Sequence, residues 1–81
     1  MEAVAVYMPK YGMTMEEGII TEWLVSEGDA VQKGQGIVII ETEKVSTELE
    51  APISGTIIEI TCQPGDEIPV GEVIAYIQPS G

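Results

Sequence analysis

The second half of the chain repeats the first, and this duplication strongly limits the folds that the chain can adopt. A shift of 37 positions aligns glycines, an aspartate and branched apolar residues without a gap, namely Gly18 with Gly55, Gly28 with Gly65, Asp29 with Asp66, Gly34 with Gly71, Ile37 with Ile74 and Ile40 with Ile77. At the first strand the shift becomes 43 and pairs Pro9 with Pro52, so residues 10–17 include a six-residue insertion. Such a repeat indicates two similar structural units related by a pseudo-twofold axis.

The composition predicts β-strands throughout the chain. Valine and isoleucine dominate the apolar set, phenylalanine is absent, and 9 glycines and 5 prolines interrupt the 81 residues. Short β-branched runs between glycine turns are typical of strands joined by tight reversals. We expect strands over residues 3–8, 19–25, 30–31, 37–40, 45–51, 55–62, around 68, and 73–77. The prediction is one all-β domain, with two four-stranded antiparallel sheets around a shared core.

Alternation within the strands predicts which side chains face the core. In the second strand one face carries Ile19, Thr21, Trp23 and Val25, and the other carries Ile20, Glu22 and Leu24. Since a strand alternates with a period of two, we expect Trp23 to belong to the core face.

The only cysteine, Cys62, shares its predicted inward face with Ile58 and Ile60. The duplication places it on Val25, so we interpret it as a small core residue rather than a nucleophile. A single cysteine also excludes a disulfide within the chain.

A predicted hairpin over residues 37–51 places an isolated lysine at its turn. Alternation there puts Val45 inward and Ser46 outward, which leaves Lys44 at the apex. The chain has no arginine and only three lysines, and acidic side chains surround this one at Glu41, Glu43, Glu48 and Glu50. A solvated turn residue without a function is the alternative interpretation.

The charge of the chain restricts its partners. Fourteen acidic residues against three basic ones give a formal charge of −11. Such a field repels phosphate backbones and anionic lipid surfaces and favours encounters with basic proteins, so we expect no nucleic-acid or membrane partner. The absence of histidine removes an imidazole base and histidine metal ligands, and we predict no catalytic residue and no metal site. No secretory leader is evident, which predicts a cytoplasmic protein in a bacterium or a mitochondrial-matrix protein in a eukaryote.

A series of short motifs extends along nearly the whole chain: Met8-Pro9, Gly12-Met13-Thr14-Met15-Glu16-Glu17-Gly18, Trp23, Glu27-Gly28-Asp29, Glu41-Thr42-Glu43-Lys44, Glu50-Ala51-Pro52 and Pro69-Val70-Gly71. With these motifs the chain resembles the lipoyl domain of the acyltransferase component of 2-oxo acid dehydrogenase complexes. The resemblance implies a flattened β-barrel, or barrel-sandwich hybrid, which agrees with the duplication. It also implies a lipoyl domain over residues 1–78, a linker or tail from 79 to 81, and a monomeric isolated domain.

The resemblance further implies that Lys44 carries lipoic acid in amide linkage, between Glu43 and Val45 where the family usually has Asp-Lys-Ala. The implied partners are a thiamine diphosphate-dependent decarboxylase, an acyltransferase core, dihydrolipoamide dehydrogenase and a lipoyl-attaching enzyme. The implied recognition residues are Lys10, Tyr11, Gly12, Met13, Thr14, Met15, Glu16, Glu41 and Glu48.

Three alternatives stay open at this point. A biotin carrier domain has the same fold, although its lysine lies between methionines, which do not flank Lys44. The glycine-cleavage carrier is also lipoylated but is longer and carries helices. An unmodified interaction module is the third, and the substrate of the parent complex, such as pyruvate or acetoin, is undetermined.

Overall fold

A computed structural model describes residues 3–10, 16–43 and 45–80. Eight strands make up this part of the chain: β1 (Val4–Tyr7), β2 (Glu17–Trp23), β3 (Ala30–Val31), β4 (Gly36–Glu41), β5 (Ser46–Glu50), β6 (Gly55–Ile60), β7 (Glu67–Pro69) and β8 (Val73–Pro79). The described residues form no helix, and hence none of the length and apolarity needed to cross a membrane.

The strands form two antiparallel four-stranded sheets, with the orders β1-β8-β6-β3 and β5-β4-β2-β7. We name them the β8 sheet and the β4 sheet. The duplication relates them strand by strand: β1 corresponds to β5, β8 to β4, β6 to β2 and β3 to β7. Each sheet therefore takes strands from both halves of the sequence. The predicted all-β fold with two four-stranded sheets is confirmed, and the two sheets remain separate rather than closing into a barrel.

The turns reproduce the duplication at the level of single hydrogen bonds. Asp29 accepts the Ser26 N–H at 2.8 Å, and Asp66 accepts the Gln63 N–H at 2.9 Å. Both aspartates are therefore turn residues, because each side chain closes the turn that contains it.

The glycines of these turns link one half to the other. The Gly28 N–H donates to Ile57 O, and the Gly65 N–H donates to Ile20 O, both at 2.6 Å. Gly28 and Gly65 have φ of 95° and 94°, a left-handed conformation that glycine adopts without strain. Each of these hydrogen bonds thereby joins a turn of one half to a strand of the other half.

Two β-bulges change which side chains of β2 and β6 face the core. The register shifts between Ile20 and Glu22 in β2, and between Ile57 and Glu59 in β6. The extra residue reverses the alternation, because side chains on the two sides of a bulge no longer follow one period of two. Ile20 is therefore buried while Ile19 is 38% exposed, and Ile58 is 47% exposed. The prediction that Ile19 and Ile58 face inward is wrong.

For residues that follow the bulges, the predicted inward-facing side chains do lie in or against the core. Trp23 is half-buried against the core, and its Nε1 donates to Cys62 O at 3.0 Å. Val25 and Cys62 are both buried, as their equivalence in the repeat predicts. Within the described residues no polar or charged side chain is buried, and the core consists of fourteen apolar side chains: Val6, Met8, Ile20, Val25, Val31, Ile37, Val38, Ile40, Ala51, Ile57, Cys62, Ile74, Ala75 and Ile77.

Candidate functional site: the β4–β5 hairpin

Strands β4 and β5 form a tight hairpin. Their last ladder pair is Glu41 with Ser46. Beyond it the Thr42 N–H donates to Val45 O at 2.8 Å, and the Thr42 Oγ1 accepts the Val45 N–H at 3.2 Å. A threonine hydroxyl suits this position because it can bond the backbone of a local turn. The reversal is therefore fixed by Thr42 and Val45. In sequence its two middle positions are Glu43 and Lys44, and Lys44 lies outside the described residues.

The exposure of Val45 differs from the predicted alternation. Its side chain is 52% exposed, whereas we expected it to face the core. The strand begins only at Ser46, so the pleat that directs Thr47 and Leu49 inward does not extend to the turn. Both described neighbours of Lys44 in sequence, Glu43 and Val45, are exposed.

Carboxylates come together beside this hairpin. β2 pairs with β4, with Ile19 opposite Glu41, and the same register extended past the ladder brings Glu17 beside Glu43. Hydrogen bonding with Glu67, loss of hydration, and repulsion from Glu67, Glu16 and Glu43 raise the pKa of Glu17. These acidic groups are thus close enough to repel one another. No group of three metal-ligating side chains occurs among the described residues.

The predicted recognition residues are only partly within the described chain. Lys10 and Glu16 are exposed, and residues Tyr11, Gly12, Met13, Thr14 and Met15 lie outside the described part. The Glu16 carbonyl accepts the Val70 N–H at 2.9 Å, so the insertion rejoins the β4 sheet between β2 and β7.

The two predicted recognition residues on the hairpin strands, Glu41 and Glu48, are exposed on β4 and β5. The Glu48 carboxyl lies over Gly36 of β4. Thr42, Glu17 and Glu67 also contribute to the site, and the sequence prediction did not single them out. Glu17 lies within the motif of residues 12–18, but its place opposite Glu43 follows from the β2–β4 register, which only the structure gives.

The fold and the hairpin define a class of protein: a duplicated β-sandwich in which one tight, acidic turn carries a lone lysine in its sequence. The chain belongs to the biotin/lipoyl family, because the family model described as "Biotin-requiring enzyme" matches residues 4–77.

Comparisons with curated proteins agree. The chain is 47% identical over 75 residues to the dihydrolipoyllysine-residue acetyltransferase component of the acetoin cleaving system of Bacillus subtilis, covering 93% of the chain and 19% of that protein. It is 43% identical over 75 residues to the corresponding component of the pyruvate dehydrogenase complex of Corynebacterium glutamicum, covering 93% of the chain and 11% of that protein. The chain therefore spans at most about a fifth of the length of these relatives.

Solved structures show the same architecture. The lipoyl domain of the 2-oxoglutarate dehydrogenase complex from Azotobacter vinelandii superposes with a TM-score of 0.80 at 32% identity, covering 98% of this chain and all of that one. The Kluyveromyces lactis urea carboxylase gives 0.81 at 27% identity, covering 96% of this chain and 6% of that one. The resemblance to lipoyl domains of dihydrolipoamide acyltransferases is confirmed.

Proposed function

We propose that this domain is a lipoyl carrier and that Lys44 bears lipoic acid through an amide bond. The observation that carries the proposal is the hairpin closed by Thr42 and Val45, whose turn contains one of the three lysines of the chain. The named relatives are dihydrolipoyllysine acetyltransferase components, which favours lipoate over biotin as the attached group.

The residues around the turn suit enzymatic attachment. The hydrogen bonds of Thr42 fix the backbone on both sides, so an attaching enzyme meets a turn that needs little further ordering. Glu43 and Val45 are exposed and leave the turn accessible. Amide formation removes the lysine charge, so the formal total changes from −11 to −12.

The domain would then serve as a non-catalytic shuttle within a longer acyltransferase. The bound lipoyl group supplies a redox-active disulfide that can accept an acyl group and release it. The proposed partners are the thiamine diphosphate-dependent decarboxylase, the acyltransferase core and dihydrolipoamide dehydrogenase. Tethering raises the local concentration of the lipoyl group to about the millimolar range, so each encounter with a partner active site is effectively intramolecular. We propose that Glu41, Glu48 and residues 10–16 contact the decarboxylase.

The test is the mass of the intact protein after production with lipoate and a lipoyl-attaching enzyme, followed by peptide mapping. We expect one lipoyl group per chain, retained in the Lys10→Arg/Lys33→Arg double variant and lost in Lys44→Arg. The double variant removes the other two lysines and is therefore the matched control. A biotinylated or consistently unmodified Lys44 would contradict the proposal.

A further inference from the structure

The two sheets differ sharply in charge. The strands of the β4 sheet carry six glutamates, all exposed: Glu17, Glu22, Glu41, Glu48, Glu50 and Glu67. The strands of the β8 sheet carry only Glu59. Neither set of strands contains a lysine. The outer surface of one sheet is thus strongly acidic, and that of the other is nearly neutral.

The duplication supplies an internal control for this difference. Five of the six glutamates occupy positions whose counterparts are uncharged, the pairs being Glu17 and Ser54, Glu41 and Gln78, Glu48 and Ala5, Glu50 and Tyr7, and Glu67 and Ala30. Both sheets nevertheless keep the same registers and the same bulges. The same strand pairing therefore forms without the charges. Adjacent like charges oppose folding, so the glutamates are not explained by stability.

The acidic face also has an apolar centre. Ile19 lies directly between Glu41 of β4 and Glu67 of β7, and it is 38% exposed. One row further from the turn, Ile39 lies between Glu48 of β5 and Glu22 of β2 and is half-buried. Side chains directly opposite in a ladder are neighbours on one face. An apolar centre with a charged surround is the arrangement of a protein-docking surface.

We propose that the outer face of the β4 sheet docks onto a basic protein surface, namely the rim of the decarboxylase active site that receives the Lys44 arm. This inference rests on the proposed function. Charge complementarity selects the partner, because six carboxylates around two isoleucines match lysines and arginines around an apolar patch. The β4–β5 hairpin is part of this sheet, so docking of the face directs the turn towards the partner. The β8 sheet then faces away.

Glu22 and Glu59 provide the test. They are related by the duplication, both exposed, and each follows the bulge of its strand, but they lie on opposite sheets. The variants Glu22→Lys and Glu59→Lys change the total charge equally. Both would be lipoylated, checked by mass and by thermal unfolding, and then assayed for reductive acylation. The probes are purified thiamine-dependent components of an acetoin-cleaving and a pyruvate dehydrogenase system, and the one that acylates the unsubstituted domain faster is used.

At low ionic strength we expect Glu22→Lys to lower kcat/KM about five- to tenfold and Glu59→Lys less than twofold. The difference should shrink as salt screens the charges. Equal losses in both variants would show a general field effect and overturn the docking face, as would no loss in either. A lipoylated domain that neither component acylates would instead contradict the proposed decarboxylase partner, and the docking face with it, while lipoate attachment at Lys44 would stand.

Discussion

At the scale of single residues, Cys62 illustrates how the repeat assigns a role. Its counterpart in the first half is Val25, and the two side chains are 4% and 9% exposed. Among the residues that the structure describes, the Cys62 Sγ makes two weak polar contacts, with the Val73 carbonyl at 3.9 Å and the Thr61 hydroxyl at 3.6 Å. The thiol therefore behaves as a small apolar group in the core.

We expect Cys62→Val to change the free energy of unfolding by less than about 1.5 kcal/mol, because an apolar group of similar size replaces another. Cys62→Ser should cost more, about 1–3 kcal/mol, because it buries a hydroxyl. Urea denaturation followed by Trp23 fluorescence measures both. A valine variant less stable than the serine variant would contradict the core assignment.

Glu17 gives the domain a stability that depends on pH. Its pKa is raised above the usual 4.5 by hydrogen bonding with Glu67, loss of hydration, and repulsion from neighbouring carboxylates. The folded state thus holds this proton more tightly than the unfolded chain. The stabilisation is complete below the unfolded pKa and is lost as pH rises through the folded value.

We therefore expect Glu17→Gln to raise Tm at neutral pH relative to the unsubstituted domain, and the gain should disappear as pH falls below about 4.5. Thermal unfolding by circular dichroism between pH 3 and pH 8 measures this difference. Added salt should reduce the gain, because part of it comes from repulsion between exposed charges. A gain that persisted unchanged at acid pH would contradict the explanation.

At the scale of elements, the hairpin turn is closed by a backbone hydrogen bond and by the hydroxyl of Thr42. Thr42→Ala removes the acceptor of the Val45 N–H and should cost about 1 kcal/mol or less in unfolding free energy. The larger effects should be local: faster hydrogen exchange at the Val45 amide and slower attachment of lipoate. Thr42→Ser keeps the hydroxyl and is the control. If alanine and serine variants exchanged at the same rate, the bond would not fix the turn.

The sequence predicted the elements well and their local faces less well. All eight strands were expected, because glycine turns and β-branched runs repeat at a constant shift. The bulges were not predicted, because in the sequence an extra residue such as Thr21 or Ile58 looks like any other residue of an alternating strand. Only the pairing with a neighbouring strand reveals that Glu22 lies opposite Ile39 while Ile20 lies opposite Ile40. Register is a non-local property, and single-strand periodicity does not contain it.

The same limit applied to the candidate site. Lys44 stood out in the sequence because lysine is rare in this chain and acidic residues flank it. The sequence did not predict that Glu67 raises the pKa of Glu17. Glu67 is more than twenty positions from the turn and approaches Glu17 only because β7 pairs with β2.

At the scale of the whole molecule, the two halves of the sequence are not two halves of the structure. β1 and β3 lie in the β8 sheet, and β5 and β7 lie in a sheet with β2 and β4. The core likewise mixes residues of both repeats, such as Ile20 with Ile57 and Ile40 with Ile77. Neither half can complete a sheet or bury its apolar face by itself.

This exchange of strands predicts the behaviour of a divided chain. Residues 1–43 and 44–81, prepared as separate peptides, should each lack cooperative thermal unfolding, because each would expose half of a shared core. Mixed in equal amounts, they should regain the β-sheet circular dichroism and the dispersed NMR spectrum of the intact domain. The core contacts and the hydrogen bonds of Gly28 and Gly65 join the two segments without a covalent link.

The charge of the two peptides adds a second test, the salt dependence of their association. They carry formal charges of −6 and −5, which sum to the −11 of the chain, so salt should strengthen their association by screening repulsion. Docking of the β4 sheet on a basic partner should have the opposite dependence and weaken with salt. The control is each peptide mixed with an equal amount of itself. Cooperative unfolding of either peptide alone would show that one repeat suffices for folding and that folding does not require the exchange of strands between the two halves.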